Sequence, residues 1–565
     1  MTRTPRRRRT ATLLFALLGS LLLLGVTAPG AGAHAALLST SPGDAEILER
    51  SPAEVTLTFG EPVGTGLGAL RVLSAAGDRA DDGTVRRTAG GSKVHLGLKP
   101  SLADGTYVVV WRVVSADSHP VSGAFTFSVG QPSTDEKQLL GRGNLTKLTE
   151  APKEPGIGLG LTRFAGFSAL VVLLGGALFS LLLWPAGVTR LRRLLLGAAV
   201  VETAAAVLAF ALEGPYAAGV GLLDTFDPSL LRAVLDVQYG VATATRIGLA
   251  ALTVLVLLVV RRGGRVLAGG LVALGVGWAL TWSAAGHAGA GPWQPWTFVF
   301  DVSHLVTVSA WVGGLVVLCL GLRGRWSPAE SAAILPGWSR LATWAVVLLV
   351  ATGTFASFRE VGELSALFAT TYGRLLVLKV TLVGLMLLFA LVGRGFVRQH
   401  YAQPVVAAAT ETAVATRPEP TEEEVAGLRR SVAIEAGLAA IVLAVTALLV
   451  NTTPAKAAFA PPYTGRSTAG PLTVAVDIYP ARKGLNGLHV YTVGAGGRTL
   501  DVAEVTGDVV RAGGERITVH PRRKSLGHYE DLNLVLPAKG RWTIELQIRV
   551  TDTDSYPTSQ TFEVR

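Results

Sequence analysis

The chain of 565 residues has one cysteine, Cys319, and two methionines, Met1 and Met386. A single thiol excludes an intrachain disulfide, a CxxC zinc site and a thiol redox pair. Two isolated thioethers exclude a methionine-rich site for soft cations. Charge is also scarce, at 16% of residues against 50% hydrophobic. Mean hydropathy is +0.45. Long apolar runs with few charges place the chain among membrane proteins. No Walker A loop or aspartyl-phosphate machinery is present, which argues against ATP-driven export. The net charge of +11 resides largely in short Arg-bearing loops between apolar runs, so it is not read as a nucleic-acid surface.

Residues 1–33 read as a signal peptide. Arg6 to Arg9 form a basic start, residues 13–26 an apolar stretch, and Ala31-Gly32-Ala33 the small residues a signal peptidase accepts. Cleavage after Ala33 makes His34 the first mature residue.

Residues 34–130 read as an all-β domain. Short alternating or apolar runs at 55–59, 67–73, 93–98, 107–114 and 124–129 are separated by Gly, Pro, Asp and Ser. This spacing predicts a small sandwich or barrel. A polar linker, 131–157, follows.

Two features of this domain carry chemistry. A histidine at a free N-terminus offers its α-amine and its Nδ1 to one ion. In Asp117-Ser118-His119, residues i and i+2 of an extended segment point to one face. Amine, imidazole and carboxylate donors in a tetragonal set suit Cu(II). By itself a D-x-H is usually a solvated loop, and spacing alone does not bring His34 to His119. His95 is a further candidate ligand, although a histidine on a strand surface is the simpler reading.

Three segments, 34–42 (HAALLSTSP), 55–63 (VTLTFGEPV) and 105–130 (GTYVVVWRVVSADSHPVSGAFTFSVG), resemble the bacterial copper-resistance protein CopC. The resemblance implies a cupredoxin-like or Ig-like β-sandwich. It also implies a Cu(II) (Cu2+) site made by the amine and imidazole of His34 with Asp117 and His119. Some CopC proteins have a second, Met-rich Cu(I) site. Neither methionine of this chain falls in 34–130, so a Cu(II)-only domain is expected.

Residues 158–452 contain eight apolar runs of spanning length, at 158–184, 194–212, 241–260, 266–285, 298–320, 341–358, 375–392 and 432–450. If the β-domain is exported, alternate loops are cytoplasmic and should be rich in Arg. The first such loop has Arg190, Arg192 and Arg193, and the second Arg261, Arg262 and Arg265. The third has Arg323, Arg325 and Arg340, and the fourth Arg394, Arg398, Arg429 and Arg430. Eight spans return the C-terminus to the exported side. Polar residues within spans are functional candidates by default. His287 closes the fourth span and His304 lies in the fifth, near the same depth, so they form a candidate membrane copper site. Glu202, Lys379 and Glu435 lie deeper, and either line a path or pair within the bundle.

The motifs 161–166 (LTRFAG), 303–314 (SHLVTVSAWVGG) and 372–379 (YGRLLVLK) resemble the copper-resistance membrane protein CopD. Together the two parts are similar to YcnJ-like CopC–CopD copper-uptake fusion proteins.

A linker, 453–470, leads to a second β domain, 471–565, with strand-like runs at 472–478, 488–493, 502–510, 532–536 and 542–550. The stretches 480–490 and 540–546 resemble YtkA-like domains. Its histidines, His489, His520 and His528, are expected to be scattered over the surface, with a weak metal site as the alternative reading.

The expected fold is thus mixed: a CopC-like sandwich, an eight-helix membrane bundle and a C-terminal sandwich. The chain is expected in the plasma membrane with both β domains outside. The expected function is non-enzymatic: Cu(II) captured at His34 passes to the bundle for uptake. A copper chaperone or reductase is a candidate partner, and nucleic acid is not. The alternatives are copper tolerance by sequestration in the envelope, a copper-brace oxygenase and a haem-linked membrane oxidoreductase.

Overall fold

The strand Glu54–Phe59 has the sequence EVTLTF and buries every second residue, Val55, Leu57 and Phe59. That period of two is what a pleated strand with one apolar face requires. The same logic builds both ends of the chain. The computed structural model describes residues 37–43, 46–60, 62–66, 70–115, 120–131, 152–261, 263–286, 294–401, 420–459, 463–479, 481–494, 498–551 and 553–564.

Eight strands make the N-terminal sandwich: β1 (Leu37–Ser41), β2 (Glu46–Leu48), β3 (Glu54–Phe59), β4 (Leu70–Ser74), β5 (Asp81–Thr88), β6 (Lys93–Leu98), β7 (Gly105–Val114) and β8 (Pro120–Val129). They form two sheets, β1-β3-β6-β5 and β2-β8-β7-β4. Val55, Leu57, Val94 and Leu96 of one sheet share a core with Val72, Val109, Trp111 and Phe127 of the other. Each such side chain contributes about 1.5–3 kcal/mol when fully buried. Each of the five runs expected from the sequence contains a strand, and residues 67–69 of the second run lie outside the described residues. Strand β5, DDGTVRRT, was not among them. It is a sheet edge with mostly exposed side chains, so it has no apolar alternation to read.

Eight helices among the described residues are long and apolar enough to cross a membrane: Glu154–Leu182, Arg192–Ala218, Gln238–Val259, Arg265–Ala284, Pro295–Gly324, Pro328–Val361, Thr371–His400 and Glu422–Val450. Twenty residues at 1.5 Å each cover the roughly 30 Å hydrocarbon layer. The eight expected spans are therefore present; each begins earlier than its apolar run, and the first, third and fourth end one or two residues sooner. The first begins at Glu154, inside the stretch read as linker. The sixth and eighth open on capping boxes: Ser327 with Glu330, and Thr421 with Glu424, each exchange backbone and side-chain hydrogen bonds. The fifth is interrupted by a π turn at Ser309–Gly313, in the S-A-W-V-G part of its motif; such turns are frequent at functional sites. There the helix meets the first span almost backbone to backbone. A methyl on Gly313 would collide with the Val171 carbonyl and the Cα of Gly175. Small residues such as the pair Gly313-Gly314 permit a close approach of this kind.

The C-terminal sandwich has nine strands: β9 (Tyr463–Ala469), β10 (Leu472–Tyr479), β11 (Gly484–Val493), β12 (Glu504–Arg511), β13 (Arg516–Val519), β14 (Arg522–Ser525), β15 (His528–Leu536), β16 (Gly540–Arg549) and β17 (Ser555–Val564). The sheets are β14-β15-β11-β10-β9 and β13-β12-β16-β17. Strand β9 lies in the segment read as a linker and pairs with β10 throughout. Strand β17 carries Pro557 and sits at a sheet edge, where a missing N–H is tolerated. By compactness the chain divides in two. Glu154–Glu213 and Phe226–Ala455 form one unit. Gly214–Thr225 and the described residues of both sandwiches form the other.

Candidate metal centres

The β7–β8 hairpin is paired in continuous register from Gly105–Val129 to Val114–Pro120. Asp117 and His119 belong to the segment joining its strands. They lie outside the described residues, as does His34. The frame around them is described. Leu37, three residues after His34, pairs with Phe59. The Phe59 ring meets Trp111 edge-on at 5.5 Å. Val114, three residues past Trp111, exchanges backbone hydrogen bonds with Gly64, five residues past Phe59. The start of β1 and the connecting end of the hairpin are thus at one end of the sandwich.

His95 is held on a sheet surface and engaged through both ring nitrogens. Nδ1 lies 2.8 Å from Glu54 Oε1 and Nε2 lies 2.9 Å from Thr88 Oγ1. That agrees with the simpler reading.

In the bundle, His287 lies outside the described residues and His304 is within them. His304 Nδ1 is 2.8 Å from Thr352 Oγ1 on the sixth span. The Thr352 hydroxyl also reaches the Leu348 carbonyl at 2.8 Å. When it donates there it accepts from His304 Nδ1–H, the tautomer that leaves the Nε2 lone pair for a ligand. A hydrogen bond on the far nitrogen is the usual orienting contact of a metal-binding imidazole. Lys379, on the seventh span, is near enough for its charge to act on both Asp301 and His304. Two sequence motifs and the sixth span therefore converge at His304.

Glu202 has a different partner, Arg246 on the third span. The Arg246 Nε lies 3.8 Å from Glu202 Oε1 with both side chains fully buried. It also donates to Thr281 Oγ1 at 3.0 Å, and its guanidinium stacks 3.7 Å above the Trp282 ring. Gly166, from the LTRFAG motif, leaves room for Trp282 and Glu202. For Glu202 the structure favours pairing within the bundle. The sequence reading missed Arg246, although a lone charge in the apolar run 241–260 is itself a signal.

The C-terminal histidines are not scattered. His520 is exposed, but His489 and His528 are 5% and 1% exposed, with Nδ1 of one 3.1 Å from Nε2 of the other. The antiparallel register of β11 and β15 brings them together. A long-range strand pairing of this kind has no local sequence signal.

The comparisons with known proteins follow this architecture. The profile of the CopC domain matches residues 37–130. That of the Copper resistance protein D-like N-terminal domain matches 154–294, and that of Copper resistance protein D matches 332–449. The chain belongs to the CopC–CopD copper-resistance family. Copper transport protein CutJ of Bacillus subtilis (strain 168) is 26% identical over 534 residues, 91% of this chain and 93% of that protein. Inner membrane protein YebZ of Escherichia coli (strain K12) is 31% identical over 242 residues, 41% of this chain and 81% of its own length. Copper resistance protein C of Pseudomonas syringae pv. tomato is 34% identical over 105 residues, 18% of this chain and 82% of its own. In this CopC–CopD chain the Copper resistance protein C likeness accompanies a sandwich, and the CopD matches coincide with apolar helices. The chain is a multi-pass membrane protein.

Proposed function

We propose that this CopC–CopD chain captures Cu(II) on the exported face and passes copper to the membrane bundle for uptake. The capture site is the amine and imidazole of His34 with Asp117 and His119. One observation supports the reading: the start of β1, three residues past His34 in the chain, and the ends of β7 and β8 that flank Asp117 and His119 in sequence converge at one end of the sandwich. The α-amine has an ordinary pKa of about 7.7–8.0, so ion binding releases its proton. Orientation follows from the Arg-rich loops, which put both sandwiches outside. His304 is the acceptor in the bundle, with Nε2 as its donor atom, and His287 is its companion. Copper is the cargo, consistent with a relative named as a copper transport protein.

The test is the copper content of cells that lack the chain and of cells complemented with wild type or His304→Ala. Uptake predicts low content in the deletion, restored by wild type and not by His304→Ala. High content in the deletion would instead assign the chain to export or detoxification.

A further inference from the structure

We propose that His489, His528 and Glu530 form a metal site in the C-terminal sandwich for one divalent first-row ion, Cu(II) or Zn(II). The argument begins with register. On β11 and β15, His489 lies directly opposite Glu530, and Tyr491 opposite His528. Residues two apart in a strand share a face, so these four project from one side of the sheet. The residues between them, Leu488, Val490 and Tyr529, belong to the sandwich core. The cluster therefore occupies the opposite, outer face.

Both imidazoles are nevertheless buried there. The Tyr491 ring stacks on His528 at 4.5 Å and 15°, and a Cβ on Gly43 of the N-terminal sandwich, in the same compact unit, would come within 3.3 Å of Tyr491. One donor atom from each of His489, His528 and Glu530 can be chosen so that all three lie within 4.8 Å of one another. The two facing ring nitrogens are 3.1 Å apart. Two nitrogens about 2.0–2.1 Å from one ion, at a near-right angle, are separated by about 3 Å. A set of two imidazoles and a carboxylate suits Cu(II) or Zn(II) and leaves a coordination position open.

His528 Nδ1, the ring nitrogen that does not face His489, is buried with no hydrogen-bond partner among the described residues. Without an ion the 3.1 Å contact is a hydrogen bond, and its proton is released when an ion takes both nitrogens. Glu530 Oε1 holds Lys524 Nζ at 2.7 Å, which orients the carboxylate and leaves its second oxygen for an ion. Asp477 lies directly across from His489 on β10. Its Oδ1 is buried with no hydrogen-bond partner among the described residues. Gly527 sets the start of β15. It adopts φ +60, where a side chain would be strained and would strike Thr499.

The test uses the full-length chain in detergent with His34, Asp117, His119, His287 and His304 all replaced by alanine, so its outcome is independent of both copper sites proposed above. The protein is equilibrated with Cu(II) or Zn(II) separately, desalted and analysed for bound metal. One equivalent of at least one metal is expected, lost on adding His528→Ala or His489→Ala and weakened about tenfold or more by Glu530→Gln. If the histidine variants fail to fold, X-ray absorption of the ion bound to the parent decides, with two imidazoles and an oxygen donor expected. A parent that binds neither metal would overturn the proposal. So would binding insensitive to both histidine substitutions, or an absorption spectrum without imidazole.

Discussion

His304 Nδ1 lies 2.8 Å from Thr352 Oγ1, a hydrogen bond between the fifth and sixth spans. With the hydroxyl proton on the Leu348 carbonyl, 2.8 Å away, the contact holds Nδ1–H and leaves Nε2 as the free nitrogen. Thr352→Val removes the acceptor and frees the ring to rotate. Loss of such an orienting partner typically costs about 10–100-fold in metal affinity or activity. Copper uptake by cells should fall at least about tenfold in Thr352→Val and recover in Thr352→Ser, which keeps the hydroxyl. Equal uptake in wild type and Thr352→Val would remove His304 from the copper path.

Gly313 and Gly175 set the distance between the first and fifth spans. A methyl at Gly313 meets backbone, which cannot move aside as a flexible side chain can. Gly313→Ala should destabilise the bundle by about 1–3 kcal/mol. Gly197 has nothing within 4 Å of its Cβ position, so Gly197→Ala should be neutral or slightly stabilising. Thermal unfolding of the two variants in detergent compares them directly.

Glu202 and Arg246 form a buried pair. Removing one partner leaves an uncompensated charge, at a cost of about 3–5 kcal/mol. Arg246→Met should therefore lose most of its folded yield, measured as monodisperse protein after mild heating. The double variant Glu202→Leu with Arg246→Met should recover much of it, since neither charge remains. A double variant worse than either single one would point to a role for the pair beyond mutual neutralisation.

Acid should weaken the turn that begins β15. Burial pushes the Asp501 carboxyl up, but hydrogen bonds from Arg523 and the Gly527 amide, together with the Arg523 charge, outweigh it and hold the group below the usual carboxylate range. Its folded pKa is below the unfolded value of about 3.9. The stabilisation is therefore complete above about pH 4 and is lost as pH falls through the folded pKa. Asp501→Asn should cost about 1 kcal/mol near neutral pH and flatten this acid limb in thermal melts of the C-terminal sandwich within the whole chain.

What could be read from the sequence follows from where each signal resides. An apolar run such as 375–392 announces a span without reference to any other residue, and the alternation of Val55, Leu57 and Phe59 announces a strand in the same way. Strand β5 and strand β17 are edges whose side chains are largely polar or exposed, so their membership is decided by backbone pairing that composition does not encode. Arg246 was visible as a lone charge, but its partner sits on another helix. His528 and Glu530 are two residues apart and readable as one face. That His489 lies opposite them depends on the pairing of β11 with β15 and a register shift between Asn486 and Leu488.

The most direct measurement is mass spectrometry of the mature N-terminus combined with Cu(II) titration of the same preparation, before and after chemical blocking of the α-amine. The account predicts a chain that begins at His34 and binds Cu(II) tightly, with that affinity lost once the amine is capped. A different first residue, or cupric affinity untouched by capping, would contradict it.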